Sequence, residues 1–273
     1  MSAEWTEIGD GVLVRRYAEL DLSIGLVLGD GACLVVDTRG DLVQGAELAA
    51  AVRQVTAAPW TLVLTHAHWD HSFGTARFLP AAVWAHERCA IELRDNGAAQ
   101  RATVIDMYTA LGRPADAGHV AAVEPVVPGH VVSDRAELLV GGRPVGLAHF
   151  GPGHTDNDLV VHVPDAGVVF AGDLVEQGAP PAFGDSYPLA WPTAVDGILG
   201  LAPSVVSPGH GDPVDAAFVT AQRAELAVIA ELCVDMIAGR SSRRDGLLRS
   251  PYPAGVLDAA IERTRATRPD VAE

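Results

Sequence analysis

The feature that most restricts how this chain can fold is a set of histidines and aspartates placed where short apolar segments end. A nearly continuous apolar run at 61–65 predicts a strand covered on both faces, and His-Ala-His-Trp-Asp-His follows it directly. Imidazole nitrogens and carboxylate oxygens are the groups that zinc binds in proteins. Because side chains alternate along an extended backbone, we expect His66 and His68 to face one ion. Asp70 and His71, where the chain turns into a helix, then reach a second ion.

Three more candidate ligands follow apolar segments later in the chain. His154 follows Gly-Pro-Gly, Asp173 follows Ala-Gly, and His210 lies in Ser-Pro-Gly-His-Gly-Asp. The neighbouring glycines let the backbone turn sharply or come close to an ion. Side chains anchored at strand ends converge at one edge of a sheet, so these three are expected to join the first four. The sequence therefore predicts a dinuclear metal site.

The apolar periodicity predicts two halves that each mix strands and helices. Strands are predicted at 11–17, 23–28, 32–37, 61–65, 82–85, 145–148, 159–163, 168–171 and 204–207. Helices are predicted at 44–55, from about Ser72, after His86, at 215–238 and at 256–265, and the Ala-rich segment 95–125 is interpreted as helical pieces that form a lid. Such a pattern indicates a layered sheet sandwich with helices outside.

Composition narrows the classes of partner. The formal net charge is −16 and every basic side chain other than histidine is arginine, so the surface repels a phosphate backbone on average. Nucleic acid is therefore not expected as a partner, and a small-molecule substrate is. No apolar run is long enough to cross a bilayer, which argues against a membrane partner.

Cysteine usage and the start of the chain bear on the compartment. Cys33, Cys89 and Cys233 are scattered and odd in number, so they predict buried thiols and no disulfide framework. Residues 1–7 are acidic, and no apolar stretch leads from them to a cleavage site. A cytoplasmic location is the expectation.

The motif and its downstream partners resemble the metallo-β-lactamase superfamily of metallohydrolases. That family's signature, His-x-His-x-Asp-His followed by a His, an Asp and a His, is present in order, and the resemblance spans roughly residues 10–240. It implies an α/β fold, a four-layer αββα sandwich of two packed sheets with helices outside. It also implies that His66, His68 and His154 bind one metal ion, that Asp70, His71 and His210 bind the other, and that Asp173 bridges them.

The same resemblance implies residues that act on the ligands. Asp37 ends an early strand and matches the family's acidic residue that orients a ligand imidazole, unless it is an ordinary turn aspartate. His149 is close enough in sequence to His154 for an indirect role. Asp70 is expected to help orient the nucleophile as well as bind its ion.

The implied activity is hydrolysis of an ester-like bond, by a hydroxide bridged between two Zn²⁺ ions, with iron or manganese as alternative metals. The scissile bond is left open among ester, lactone, thioester and amide. A mononuclear iron persulfide dioxygenase and a non-catalytic metal-binding scaffold are the competing interpretations. Family resemblance alone does not choose among them.

The segment 176–192 is rich in proline and glycine and predicts an irregular loop leaving the strand that carries Asp173. We expect its aromatic residues Phe183, Tyr187 and Trp191 to line the substrate cleft. The alternative is a surface connection that these side chains anchor. Trp69, inside the motif, is expected to face the pocket or to pack under its loop.

Domain organisation is predicted as one catalytic domain, 1–240, with a helical tail, 241–273, packed on it. The apolar face of the 215–238 helix serves either the core or a homodimer contact.

Overall fold

The fold is assembled from two halves of similar design, seen in a computed structural model that describes residues 4–267. The first half contains the strands β1 (Trp5–Gly9), β2 (Val12–Tyr17), β3 (Leu22–Gly29), β4 (Ala32–Val36), β5 (Trp60–Val63), β6 (Val83–His86) and β7 (His130–Val132). Its helices are α1 (Leu42–Val55), α2 (Trp69–Ser72), α3 (Glu87–Asp95), α4 (Gly97–Ala110) and α5 (Pro114–Ala121), with a 3₁₀ turn at Thr75–Arg77.

The second half contains the strands β8 (Arg135–Val140), β9 (Arg143–Ala148), β10 (Val160–Val163), β11 (Val168–Glu176) and β12 (Val205–His210). Its helices are α6 (Trp191–Leu199), α7 (Ala216–Ile237), α8 (Arg243–Arg249) and α9 (Ala254–Thr267). Side chains cap two of the long helices: Asp41 accepts hydrogen bonds from the first turn of α1, and Asp215 accepts one from Phe218 of α7. Capping of this kind satisfies amide N–H groups that have no partner inside the helix.

The strands pair in the order β7-β6-β5-β4-β3-β12-β11-β10-β9-β8, with β1 and β2 added beside β3. Strands β4 to β7 run parallel, as do β11 and β12, and the remaining neighbours are antiparallel. The two half-sheets meet where β3 joins β12, and their register there pairs Leu22 with His210.

Three clusters of buried apolar side chains define the layers. The first, which includes Val27 and Phe170, lies between the two half-sheets. The second joins the first half-sheet to α1, α3, α4 and α5, for example through Leu48. The third joins the second half-sheet to α6, α7 and α9 through residues such as Leu226 and Leu257. Three such interfaces require four layers, so the predicted αββα sandwich is confirmed.

Several elements differ from the sequence-based prediction. Strands β1, β7 and β8 lie outside the predicted strands. Most of their residues are exposed or half-buried, so their sequences need no continuous apolar run of the kind that indicates a strand. Helix α6 begins at Trp191, inside the segment predicted as loop, with Pro192 in its first turn, where proline is tolerated. Strand β11 continues through Asp173 to Glu176, so Asp173 lies within a strand and not after it.

The three cysteines are free and buried, as predicted. Within residues 4–267 no helix combines the length and the apolar character needed to span a bilayer. Helix α9 packs on α7 and contributes Leu257, Ala260 and Ile261 to the third cluster. The boundary between a catalytic domain and a tail at 240/241 stays a prediction.

Candidate metal centre

The seven predicted ligands come together at one edge of the sandwich. His66 and His68 lie between β5 and α2, and α2 carries Asp70 and His71. His154 lies in the connection between β9 and β10, while Asp173 and His210 belong to the neighbouring strands β11 and β12. Both half-sheets therefore supply side chains to the same place.

The ligand atoms form two groups suited to metal ions. In each group the candidate atoms all lie within 4.8 Å of one another. The first group is His66, His68, His154 and Asp173, and the second is Asp70, His71 and His210.

Ring nitrogens crowd together in the first group. His68 Nδ1 lies 3.0 Å from His66 Nε2 and 2.9 Å from His154 Nε2. Asp173 Oδ2 lies 3.4 Å from His154 Nε2. Three nitrogens and a carboxylate oxygen thus surround one position, which matches the donor set of a four-coordinate zinc ion.

In the second group, His210 Nε2 lies 3.4 Å from both His71 Nε2 and Asp70 Oδ2. The Asp173 carboxylate reaches this group too, with Oδ1 3.2 Å from His71 Nε2 and Oδ2 3.3 Å from His210 Nε2. Asp173 therefore lies between the groups and is placed to serve both.

The outward ring nitrogens are held by hydrogen bonds that direct the inward nitrogens at the centre. His210 Nδ1 donates to the Leu20 carbonyl oxygen at 2.7 Å, because a carbonyl can only accept. His68 Nε2 lies 2.8 Å from Asp185 Oδ2. With the outer nitrogen protonated, a neutral imidazole presents a lone pair inward, and partners of this kind are usual for metal-binding histidines.

Asp37 connects the two groups through hydrogen bonds to His71 and Thr65. Its Oδ2 lies 2.8 Å from His71 Nδ1 and accepts the Thr65 hydroxyl at 2.8 Å, and its Oδ1 accepts the Thr65 N–H at 2.7 Å. The Thr65 hydroxyl oxygen in turn lies 3.1 Å from His66 Nδ1. The predicted contact of Asp37 with a ligand imidazole is present, and Thr65 extends its influence to the other group.

Burial and charge set the protonation of the two groups differently. In the first group, burial and the neighbouring His71 hold the pKa of His66 well below its ordinary value, and burial lowers the pKa of His154 to about 4. In the second group, burial opposes charging, but Asp173 outweighs it and raises the pKa of His210 to about 9. The carboxylates of Asp173 and Asp70 likewise raise the pKa of His71 well above its ordinary value despite burial.

The charge and the donor atoms of these side chains decide whether the residues fit a metal ion. Carboxylates and imidazole lone pairs converge on a small buried volume, and Asp173 Oδ1 is buried there without a hydrogen-bond partner among the described residues. Such a concentration of acceptors needs positive charge, which protons on His71 and His210 supply in the absence of metal and metal ions supply better. The donor set therefore fits metal binding.

Glycine allows the two strands that carry ligands to lie this close. A Cβ on Gly209, next to His210, would collide with the Asp173 carboxylate. Gly172, at φ +54°, faces the Thr65 side chain in a backbone conformation that favours glycine. At these two positions glycine lets neighbouring segments lie close together, and the expected close approach of the backbone to an ion stays a prediction.

A cleft of about 610 Å³ opens over both groups. Trp69 lines it, and it also packs edge-on against Tyr108, with ring centroids 5.7 Å apart. Tyr187 lines a smaller cavity beside His68. Trp69 therefore lies in the wall of the cleft and Tyr187 in the adjoining cavity, and a role of either in binding substrate stays a prediction.

The expectation that Phe183 and Trp191 line the substrate cleft is corrected. Trp191 is fully buried, donates its indole N–H to the Leu174 carbonyl oxygen at 3.0 Å, and packs beneath His154 with ring centroids 5.6 Å apart. Phe183 is also buried and packs against Trp191. The loop uses these two aromatic side chains to attach itself to the core, because their large apolar surfaces are more stable there than in water.

His149 lies apart from the two groups. Its Nδ1 is 2.8 Å from the carbonyl oxygen of Asp158, and its ring stacks on His86 with centroids 4.0 Å apart. Asp158 accepts hydrogen bonds from Thr155, next to His154, so the path from His149 to the centre runs through that loop. An indirect role for His149 stays a prediction.

Two acidic residues near the ligands were not predicted. Asp185 contacts His68. It is a carboxylate in the segment 176–192, and that residue type could have marked it as a partner of a ligand histidine. Glu176 Oε1 lies 4.0 Å from His154 Nδ1, and burial together with the nearby Asp173 raises the pKa of Glu176 to about 8. Glu176 follows Asp173 by three positions, and nothing in a single sequence marks it as buried.

Comparison with known proteins gives the family. The profile described as "Metallo-beta-lactamase superfamily" matches residues 20–210. The chain is 29% identical over 193 residues to "Acyl-coenzyme A thioesterase MBLAC2" of Gallus gallus, covering 66% of this chain and 69% of that protein. It is 31% identical over 91 residues to "Metallo-beta-lactamase type 2" of Bacteroides fragilis, covering 32% and 36%.

Among solved structures, the "Metallo-beta-lactamase from Pontibacter korlensis" superposes with a TM-score of 0.65 at 20% identity, covering 82% of this chain and 99% of that one. This likeness shows the fold. The profile match, which takes in more than half of the chain and all seven converging side chains, shows that the chain belongs to the metallo-β-lactamase superfamily.

Proposed function

We propose that this protein is a hydrolase that binds two zinc ions and cleaves an ester-like bond of a small molecule. The first ion is assigned to His66, His68 and His154, and the second to Asp70, His71 and His210. Asp173 is assigned to both. The observation that carries the proposal is the position of Asp173, whose carboxylate oxygens lie 3.2–3.4 Å from imidazole nitrogens of both groups.

Paired zinc ions lower the pKa of a water molecule that they share and polarise a carbonyl oxygen. The chain's own residues prepare the site for that chemistry. Asp37 and Thr65 hold His71 and His66, and Asp185 holds His68, so that the inward nitrogens keep their directions. Asp70 lies in the cleft wall, where a free carboxylate oxygen can accept a hydrogen bond from the attacking water and orient it.

Thioesters are a reasonable first substrate class. The relative from Gallus gallus is named as an acyl-coenzyme A thioesterase. The cleft includes the apolar surfaces of Trp69, Ala99 and Ala182 beside the ligand atoms, so it can accommodate an acyl chain.

The test is a hydrolysis screen over thioesters, lactones, aryl esters, amides and β-lactams, with and without chelator. We expect chelator-sensitive turnover that His66→Ala and Asp70→Ala abolish. His130→Ala is the matched control, because His130 is exposed on β7 and stacks on Trp84 away from the centre. Full turnover by either ligand variant, or by chelator-treated protein, would refute the proposal.

Metal analysis of the purified protein separates the hydrolase from its alternatives. Two zinc ions per chain support the proposal. One iron ion per chain, with consumption of oxygen in the presence of a persulfide, would replace it with a dioxygenase. Metal binding without turnover of any substrate would support a scaffold.

A further inference from the structure

A second cavity, of about 200 Å³, adjoins the cleft over the ligand groups. The two cavities share four lining residues, which are His68, Glu92, Gln100 and Asp185. The smaller cavity is completed by the loop that follows His154, by Tyr187 and by Arg263. Arg263 lies on α9, outside the region that matches the family profile.

Two of the four charged residues that line the smaller cavity are already paired. Its walls contain Glu92, Asp156, Asp185 and Arg263. Asp156 accepts from Arg88 at 3.1 Å, and Asp185 lies 2.8 Å from His68. Within residues 4–267, the Glu92 carboxylate and the Arg263 guanidinium form no ion pair and are left to act on a ligand.

On the Glu92 side of the cavity, two acceptor oxygens have no donor among the described residues. Glu92 Oε2 accepts from Asn96 at 2.8 Å, and its Oε1 has no partner within residues 4–267. Gln100 Oε1 is buried and likewise has no partner among the described residues. A buried acceptor without a donor costs free energy, so this wall favours a ligand that brings an N–H or ammonium group.

Arg263, elsewhere in the lining, presents a fixed donor. Arg263 Nε donates to the Ser186 carbonyl oxygen at 2.7 Å, and the guanidinium carbon lies 5.3 Å from the centre of the Tyr187 ring. Within the part of the chain that the structure describes, the terminal nitrogens of Arg263 make no hydrogen bond. A guanidinium held in this way is preorganised to bind a carboxylate.

We propose that the smaller cavity is a substrate subsite for an amino-acid-like group that carries both a cationic or N–H donor and a carboxylate. Glu92 and Gln100 bind the nitrogen, and Arg263 binds the carboxylate. Because the cavities share His68 and Asp185, the part of the substrate attached to that group can extend into the cleft, so that its scissile bond lies over the candidate metal ligands. The reaction at that bond rests on the proposed function, whereas the recognition does not.

The test uses acetate esters that differ only in the alcohol, assayed at mildly acidic pH so that a protonated amine cannot capture the acetyl group. The alcohols are serine with both charges, ethanolamine with the ammonium, glycolate with the carboxylate, and methanol with neither. We expect kcat/KM for the serine ester to exceed that for the methyl ester by roughly tenfold or more, the value of one or two hydrogen bonds to charged groups.

Two variants separate the contributions of the walls. Glu92→Gln should erase the advantage that the ammonium group confers, and Arg263→Gln the advantage that the carboxylate confers. Each should change the methyl ester little. Glu87→Gln and Arg265→Gln are matched controls, since both residues are exposed on the same helices, α3 and α9, outside the cavity.

Calorimetric titration of the metal-loaded protein with serine, ethanolamine and glycolate gives a readout independent of turnover. Serine should bind most tightly, and each variant should weaken it. Equal kcat/KM for all four esters with unselective binding would overturn the subsite and leave the proposed hydrolase intact. Selective binding without hydrolysis of any ester would support the subsite and count against the hydrolase.

Discussion

The two ligand groups use the same kinds of side chain, yet they hold protons very differently. In the first group, burial leaves His66 and His154 with a lowered pKa, about 4 for His154. In the second, Asp173 and Asp70 raise the pKa of His71 and His210, the latter to about 9. The difference comes from the distribution of carboxylates around the two groups. It shows that protons can compete with a metal ion for a histidine nitrogen more strongly in one group than in the other.

That difference suggests an order of binding. Near neutral pH the first group offers two neutral imidazoles, whereas an ion entering the second group must displace protons. His68 departs from its group, because its contact with Asp185 raises its pKa although burial opposes this.

Removing the shared carboxylate should have the largest effect. Asp173→Asn takes a charged ligand from both groups, so we expect loss of both ions and, with them, of turnover, a fall in kcat of about a thousandfold or more, from several kcal/mol of lost electrostatic stabilisation. Elemental analysis checks the metal content. His210→Ala is the comparison, since it should cost the second ion and spare the first. Retention of two ions by Asp173→Asn would show that the groups do not share it.

Zinc affinity should respond to pH in the second group more than in the first. Below pH 9 His210 carries a proton that zinc must displace, so affinity there should rise with pH by about tenfold per unit for each proton released, levelling above about pH 9. His154, with a pKa of about 4, adds no such dependence near neutrality. Titrations against a competing chelator at several pH values measure this. Parallel pH profiles for the two ions would contradict the distinction.

Residues that hold the imidazoles from outside should have smaller effects. Asp185→Asn touches the first group through His68, while Asp37→Asn touches both through His71 and Thr65. Changes to such partners typically weaken metal affinity by about 10–100-fold. We expect Asp185→Asn to weaken one ion and Asp37→Asn to weaken two. Chelator competition on each variant decides the matter, and a weakened second ion in Asp185→Asn would be the contrary result.

Replacing Trp191 should affect stability more than catalysis. The side chain is fully buried beneath His154, so Trp191→Ala should lower the free energy of unfolding by about 3–5 kcal/mol, measured by urea denaturation. Below its melting temperature the variant should keep KM within a few-fold. A large rise in KM with unchanged stability would return Trp191 to the substrate cleft.

The converging ligands could be predicted from sequence because each lies beside or within an apolar strand whose direction is readable, although Asp173 proves to lie inside β11 and not after it. Strands β5 and β12 and the loop at His154 carry this signal. The alternation of strands and helices indicated a layered sandwich, whereas its four-layer form was implied by the family resemblance. The loop before α6 was harder, because an aromatic side chain beside a cleft and one beneath it look alike in sequence. Trp191 and Tyr187 are four positions apart, and only packing assigns one to the core and the other to a cavity.

Hydrogen-bond partners were predictable only where the family supplies them. Asp37 was expected and is found beside His71, whereas Asp185 depends on how a long irregular loop returns to His68. Arg263 approaches from the far end of the chain, and no local pattern links it to residue 68. Long-range contacts of this kind are set by tertiary packing and not by local periodicity.

The narrow join between β3 and β12 has a mechanical consequence. Its strand register rests on Leu22 and His210, and the ligands are drawn from both sides of it. Metal ions bound there would cross-link the two half-sheets, joining segments more than a hundred positions apart. Removal of the ions should destabilise the pairing of β3 with β12 before the apolar layers unfold. This local opening would appear as early amide exchange and protease cleavage near residues 20–22 and 210–212.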